Sequence, residues 1–400
     1  MFKMTQKALI GALACVGFFA SAEQTVEKDW TILVFLNGNN NLDYFGKQDM
    51  NEMERVGSTD RVNVVAQWAS YGNRKTKRIL VQKDEDMSNV TSPVIQDMGL
   101  VDMGSVDELV AFAKWGMENY PAKHYFIDIW NHGNGWQKNG IQEIFKDVSY
   151  DDFSGNKITT EQLGTAMAQV KEFIGRNVDI LGFDACLMAM SEVGGEIADS
   201  TDFLIGSEDL EPGDGWPYDD FLMKLNEGAV YKDPRALSAD LVSAYVTSYS
   251  GGSQGNTSVT LSAHDLGALR NMYPSISNLA TALNQIAETN PAALKDAIRG
   301  TLGFYGSDYK DLGSFIAELQ TRNTGIDANV LQAVSTQLKT AVVANQATGN
   351  FARAQGMSLW IPGYASSSWS RYSERYKGFL FDQETSWSKW IETLASKDAE

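Results

Sequence analysis

The chain has 400 residues, 43% of them hydrophobic, and a formal charge of −18 at neutral pH. That length and apolar content exclude a disordered chain and suffice for one large domain or two smaller ones. The acidic excess argues against a nucleic-acid surface and leaves solubility, or attraction of cationic substrates, as its consequence.

At the N-terminus Lys3 and Lys7 precede an apolar segment from Ala8 to Ala20, and Ala20, Ser21 and Ala22 form an A-x-A cleavage pattern. Residues 1–22 are therefore expected to be a signal peptide on a secreted or periplasmic chain, the segment being too short for a permanent membrane anchor. Leu13 and Cys15 approach a bacterial lipoprotein site with the leucine one place out, which makes lipid anchoring the lesser alternative. Cleavage after Ala22 discards Cys15 and leaves Cys186 as the only cysteine, with no disulfide partner. A small buried hydrophobe and a working thiol are both open readings of it.

Residues 30–36 are an unbroken apolar run, the pattern of a buried parallel strand, and Asn37 to Asp43 form the loop at its carboxyl end, where open α/β sheets place ligands. A helix over 44–55, strands over 61–68 and 78–82, a helix over 107–120 stopped by Pro121 and a strand over 124–130 follow. Between Trp136 and Ile158 periodicity is weak and Lys138, Lys146 and Lys157 are spaced among turn formers, which predicts a long exposed loop. Thr159 with Gln162 is a capping box for a helix to about Phe173.

The apolar strand from Val178 ends at Asp184, Ala185 and Cys186, where a helical pattern to about Ala198 begins. At such a switch unpaired amides and the helix dipole favour a thiolate. A strand over 201–206, a turn-rich loop over 207–217, helices over 218–225 and 234–249, a Gly/Ser turn and a strand over 257–261 come next. Residues 266–347 are mostly helical by pattern, a strand over 356–361 follows, and the tail is helical and aromatic, with Trp387 and Trp390. No second apolar segment is long enough to span a membrane. The expectation is α/β: a mainly parallel sheet flanked by helices, with 23–265 as catalytic domain and 266–400 as a mostly helical portion contributing a further strand.

Attack of a thiol on a carbonyl needs a proton carrier and donors for the oxyanion. His132, followed by Gly133, lies at the end of the 124–130 strand, and 186 − 132 = 54 residues separate it from Cys186, similar to the caspase order and spacing. The N–H groups of Gly133 and Cys186 are candidates for the oxyanion hole. His124 and His264 sit at strand positions that suit structural roles.

The run from Asn131 to Trp136, the run from Asp184 to Met188, and the opening from Trp30 to Asp43 resemble the clostripain-like (C11) cysteine peptidases of the caspase-fold clan. The resemblance implies a caspase-like fold and a secreted bacterial endopeptidase acting on protein or peptide substrates after Arg or Lys through a His132–Cys186 dyad. It makes Asp184 the carboxylate at the base of the substrate pocket, and Asn40, Ser207 and Glu208 further pocket residues, with Asp209, Glu211 or Asp214 adding charge at the mouth. A structural, loop-anchoring Asp184 stays open as well. The resemblance also implies self-cleavage in the 137–158 loop, for which Lys146, with Asp147 as the new first residue, is the preferred site. No cofactor is required by this chemistry. Calcium is possible within the family, and Asp147, Asp151 and Asp152 invite it without meeting EF-hand spacing. The rival reading is a secreted binding or surface protein that keeps the fold without turnover.

Overall fold

The computed structural model describes residues 27–137, 147–227, 233–306, 308–322 and 324–399. The signal peptide, the lipoprotein alternative and Lys146 fall outside the described residues. Strands β1 (Lys28–Gly38), β2 (Val62–Ser70), β3 (Lys75–Leu80), β4 (Val94–Gly99), β5 (Ala122–Trp130), β6 (Val178–Asp184) and β7 (Thr201–Gly206) alternate with helices α1 (Asp43–Val56), α2 (Val106–Asn119), α3 (Thr160–Ile174) and α4 (Ser191–Ile197). Then come α5 (Tyr218–Asn226), α6 (Pro234–Ser248), the short pair β8 (Ser250–Gly252) and β9 (Gly255–Asn256), and β10 (Thr260–Asp265). The remainder is α7 (Leu266–Thr289), α8 (Pro291–Gly300), β11 (Tyr309–Asp311), α9 (Leu312–Thr321), α10 (Ala328–Ala341), β12 (Val342–Ala347), β13 (Ser358–Trp360), α11 (Ala365–Tyr376), α12 (Leu380–Thr385) and α13 (Ser388–Ala399).

One nine-stranded sheet has the order β12-β10-β7-β6-β5-β1-β2-β3-β4. Its five central strands, β7 to β2, are mutually parallel, and two antiparallel strands close each edge. Both faces are covered, so the central strands read as solid apolar runs. Alternate residues of β1 enter different cores: Leu33 and Phe35 pack with α2, α3, α4 and the C-terminal helices, while Ile32, Val34 and Leu36 pack with α1, α5 and α6. The sheet and the first of these cores both cross residue 265, because β12 and helices α7 to α13 join them. Trp387 and Trp390 are fully buried there.

The predicted capping box forms in both directions, with Thr159 Oγ1 accepting from Gln162 N–H (3.3 Å) and Gln162 Oε1 from Thr159 N–H (2.9 Å). Such a cap stabilises a helix by about 1 kcal/mol. Three sequence expectations shift. The strand that joins the sheet from beyond 265 is β12, a half-exposed edge that continues the apolar pattern of α10 and so reads as helix; residues 358–360 pair with β11 in a separate two-stranded sheet, with one bridge from Ser358 to Met190. The strand expected over 257–261 forms over 260–265. Helix α4 starts at Ser191, five residues after Cys186, so the thiol is not at the first turn of that helix.

Candidate active site

Register delivers the two candidate catalytic residues to the same edge. Trp130 of β5 lies opposite Asp184 of β6, and Asn131 N–H continues the ladder to Asp184 O (3.2 Å), so His132 and Cys186 each sit two residues beyond a paired position. The two turns touch: a Cβ added to Gly133 would collide with Cys186 O and come within 3.0 Å of Cys186 N. Only glycine permits that approach. Gly133 also bridges Val148, but through Asn134 N–H to Asp147 O (2.9 Å), so the bridge does not use the Gly133 N–H. Leu187, in the left-handed region at φ 66°, turns the chain away directly after the thiol, and its N–H is held by Asp209 O.

His132 is half-buried, and its Nε2 lies 2.8 Å from Asn41 Oδ1. An amide oxygen only accepts, so Nε2 carries the proton and Nδ1 is the basic nitrogen. Burial pulls the imidazole down to about 4, which keeps it neutral at neutral pH. Cys186, also half-buried, accepts a hydrogen bond from Glu211 N–H at 3.3 Å. Burial pushes its thiol up to about 11, opposed by that N–H and reinforced by the charges of Asp184 and Asp209. The resting pair is therefore a neutral thiol and a neutral imidazole, not the dipole-stabilised thiolate expected from a helix start. The imidazole is thus the candidate proton acceptor for the thiol, and the Gly133 and Cys186 amides are the candidate oxyanion donors.

Beneath the thiol lies a nest of buried carboxyls. Asp184 Oδ2 accepts from Trp216 N–H (3.1 Å) and Tyr218 Oη (3.0 Å), and Tyr218 Oη also lies 2.6 Å from Asp128 Oδ2. Asp49 takes Trp130 Nε1–H (2.6 Å). Gly215, at φ 57°, leaves room for Asp184: a Cβ there would come within 2.8 Å of its Oδ2. Both carboxyl oxygens of Glu211 are buried without a backbone or cationic partner among the described residues, and its side chain shares a hydrogen bond with the Asp184 carboxyl, Glu211 holding the proton. Burial first, then the neighbouring charges of Asp184 and Cys186, raises Glu211 well above the usual carboxylate range, and burial raises Asp49, Asp128 and Asp184 as well. Such a cluster favours a cation. Beside it a groove of about 460 Å³ is bounded by Leu210, Glu211, Pro212, Thr257, Tyr305 and Phe351, among others.

The side chains of Asn40, Ser207 and Glu208 are engaged in contacts within the protein. Asn40 is buried and anchors a neighbouring loop, donating to Tyr150 O (3.0 Å) and accepting from Leu42 N–H (2.8 Å). Ser207 Oγ pairs with Thr260 Oγ1 (2.9 Å), and Glu208 accepts from Gly356 N–H (3.0 Å) beside Asp311, so both side chains are bound toward β10 and β11. His124 bonds Asp179, and His264 is buried against Gly356 O. Two of the three aspartates offered for calcium are already engaged by donors, while Asp152 is exposed. Asp147 is bound by Arg375 and Thr160, and Asp151 accepts from four N–H groups. Among the described residues no group of three or more His, Cys, Asp or Glu side chains is placed to hold a metal. Sequence reasoning missed Asn41 as the partner of His132; its only signal was the asparagine run at the end of β1.

An α/β sheet that carries a histidine and a free thiol at neighbouring strand ends is the frame of a cysteine hydrolase. The model of the clostripain family of C11 peptidases matches residues 34–393, and the chain belongs to that family of cysteine peptidases. Clostripain of Hathewaya histolytica is 29% identical over 133 residues, which is 32% of this chain and 25% of that protein's length. A secreted C11 cysteine protease from Bacteroides thetaiotaomicron, solved with an irreversible peptide inhibitor, aligns with a TM-score of 0.65 at 22% identity, covering 91% of this chain and 99% of that one. An inactive zymogen C11 protease from Parabacteroides distasonis aligns with a TM-score of 0.68 at 17% identity, covering 90% and 99%. These likenesses establish the shared fold.

Proposed function

We propose that the chain is an exported cysteine endopeptidase that cleaves peptide bonds after Arg or Lys. The observation that carries the specificity is Glu211: a buried carboxyl paired only with a second acid, Asp184, with no cationic partner among the described residues, at the residue whose own N–H holds the Cys186 sulfur. A guanidinium or ammonium supplies the donors and the charge that this nest lacks. Asp184 and Glu211 take the cationic side chain, and the groove beside Leu210 takes residues preceding it.

In the reaction the Cys186 thiol passes its proton to His132 Nδ1 as sulfur attacks the carbonyl carbon. The Gly133 and Cys186 amides hold the oxyanion, His132 protonates the leaving amine, and water then hydrolyses the thioester. Asn41 keeps the imidazole in the tautomer this needs. The cation in the pocket also offsets the carboxylate charge that disfavours a thiolate, so binding and activation are coupled. Asp147, directly after Lys146, becomes the first residue of a second chain on self-cleavage. Export is supported by the signal-peptide pattern and by secretion of the Bacteroides relative, and among the described residues no helix is long and apolar enough to cross a membrane.

The test is amide hydrolysis of peptides ending in Arg, Lys, Ala or Glu, before and after iodoacetamide, with Cys186→Ala alongside. Turnover confined to Arg and Lys and abolished by either treatment is the expected result. Turnover that survives Cys186→Ala, or that ignores substrate charge, sinks the reading.

A further inference from the structure

We propose that Arg375, on helix α11 of the C-terminal portion, is a positioning residue that sets the His132 loop; the inference rests on the functional reading of His132 and Cys186. The guanidinium joins the two described flanks of residues 138–146. Its Nη1 donates to Trp136 O, at the end of the histidine turn, and its Nη2 donates to Asp147 Oδ1 (2.5 Å), at the start of the segment that supports that turn. The rest of the fork grips Glu161 of α3 through Nε (2.8 Å) and Nη2 (2.7 Å). A planar fork with five donors does this where a point charge would not.

The effect on His132 runs through main chain. Asp147 O accepts from Asn134 N–H, Val148 bridges Gly133, and Tyr150 N–H donates to Asn131 Oδ1 (2.8 Å), so the segment flanks the histidine from both sides. Independent of these contacts, Asp147 and Ser149 both occupy the left-handed region, at φ 60° and 56°, although neither is glycine. Residues persist there only where surroundings impose it. For Asp147 the imposing groups are Arg375 and the Thr160 N–H. Arg375 is one-quarter exposed, so its replacement opens no core cavity. The bland alternative is a docking contact through Glu161 alone, which would leave the histidine indifferent.

The experiment uses the full chain after maturation and compares wild type with Arg375→Ala, Arg375→Lys and Glu161→Gln. Rates on an Arg or Lys peptide amide are normalised to active sites titrated with an irreversible peptidyl alkylator, over a pH series, with thermal midpoints measured in parallel. Arg375→Ala is expected to lower kcat per titrated site about tenfold or more, with KM within about twofold, because misplacement of the proton carrier acts on the chemical step. The acid limb of its pH profile moves, Arg375→Lys restores part of the rate, and Glu161→Gln lowers the midpoint while keeping kcat. If Arg375→Ala is recovered unfolded, Arg375→Lys carries the same comparison. Unchanged kcat and acid limb with only a lower midpoint overturn the inference alone, whereas an inactive wild type or an active Cys186→Ala overturns the functional reading and the inference with it.

Discussion

The two sides of the site are built in opposite ways. On the histidine side the main chain is closely pinned by hydrogen bonds, although the Trp136 and Gln137 side-chain N–H groups are buried without acceptors among the described residues: Asn131 bonds Asn37 O and Tyr150, and Tyr309 Oη donates to Asn134 O while accepting from Trp136 and Gln137 N–H. On the acid side, carboxyls outnumber donors, and Glu211 has only the Asp184 carboxyl as a partner among the described residues. Elsewhere a buried carboxylate is fully provided for, as where Glu54 accepts from Thr91 and Ser92 N–H. A pinned main chain fixes one geometry, whereas an unmatched cluster of acids holds unfavourable free energy that a ligand of the right charge relieves. On the proposed reading, the contrast separates the part that performs proton transfer from the part that selects substrate.

The sharpest way to break this contrast is Glu211→Gln. Loss of one partner to a buried substrate charge costs about 3–4 kcal/mol, so kcat/KM for Arg and Lys substrates should fall by roughly 10²–10³ while the thermal midpoint does not drop. Retained preference for basic over neutral substrates would show that the acids are not the selector. On the histidine side, Asn41→Ala should lower kcat by about tenfold, equivalent to about 1.4 kcal/mol, with KM little changed. A change in KM alone would remove Asn41 from the proton-transfer apparatus.

The smallest effect is on stability against pH. Burial raises Glu52 to about 8 and raises Asp128 and Glu211, so above the ordinary carboxylate pKa the folded chain holds more protons than the unfolded one. Stability then falls as pH climbs toward 8. His132 and His264, each lowered to about 4, act oppositely, their neutral burial being penalised as pH drops below the imidazole range. Between pH 6.5 and 8 the imidazole effect fades and the carboxyl effect takes over, and chemical denaturation should give a declining slope toward pH 8 that Glu52→Gln reduces. A rising slope there would contradict the buried-acid account.

Much of this was legible from residue order. Apolar runs ending in polar turns located β1, β5, β6 and β7, and two of those ends held His132 and Cys186. Local patterns also gave the Thr159 cap. What escaped was set by contacts between distant segments. Arg375 lies 239 residues from Trp136, and β12 continues the pattern of α10 until Thr260–Asp265 offers it an edge. That Glu211 rather than Glu208 adjoins Asp184 and the Cys186 sulfur had no local signal either, because both lie in one acidic loop and Gly356 and Asp311, arriving from the C-terminal portion, bind Glu208. The late start of α4 follows from the left-handed Leu187, which sequence alone does not favour.

The crowded acids beneath the thiol mean that the formal charge of −18 overstates what the native molecule carries in neutral solution. Unfolding would hydrate those groups and shed their hydrogen ions into the medium. A calorimeter would therefore register different melting heats in phosphate and in an amine buffer at the same pH, the gap reporting how many acids the native interior keeps neutral.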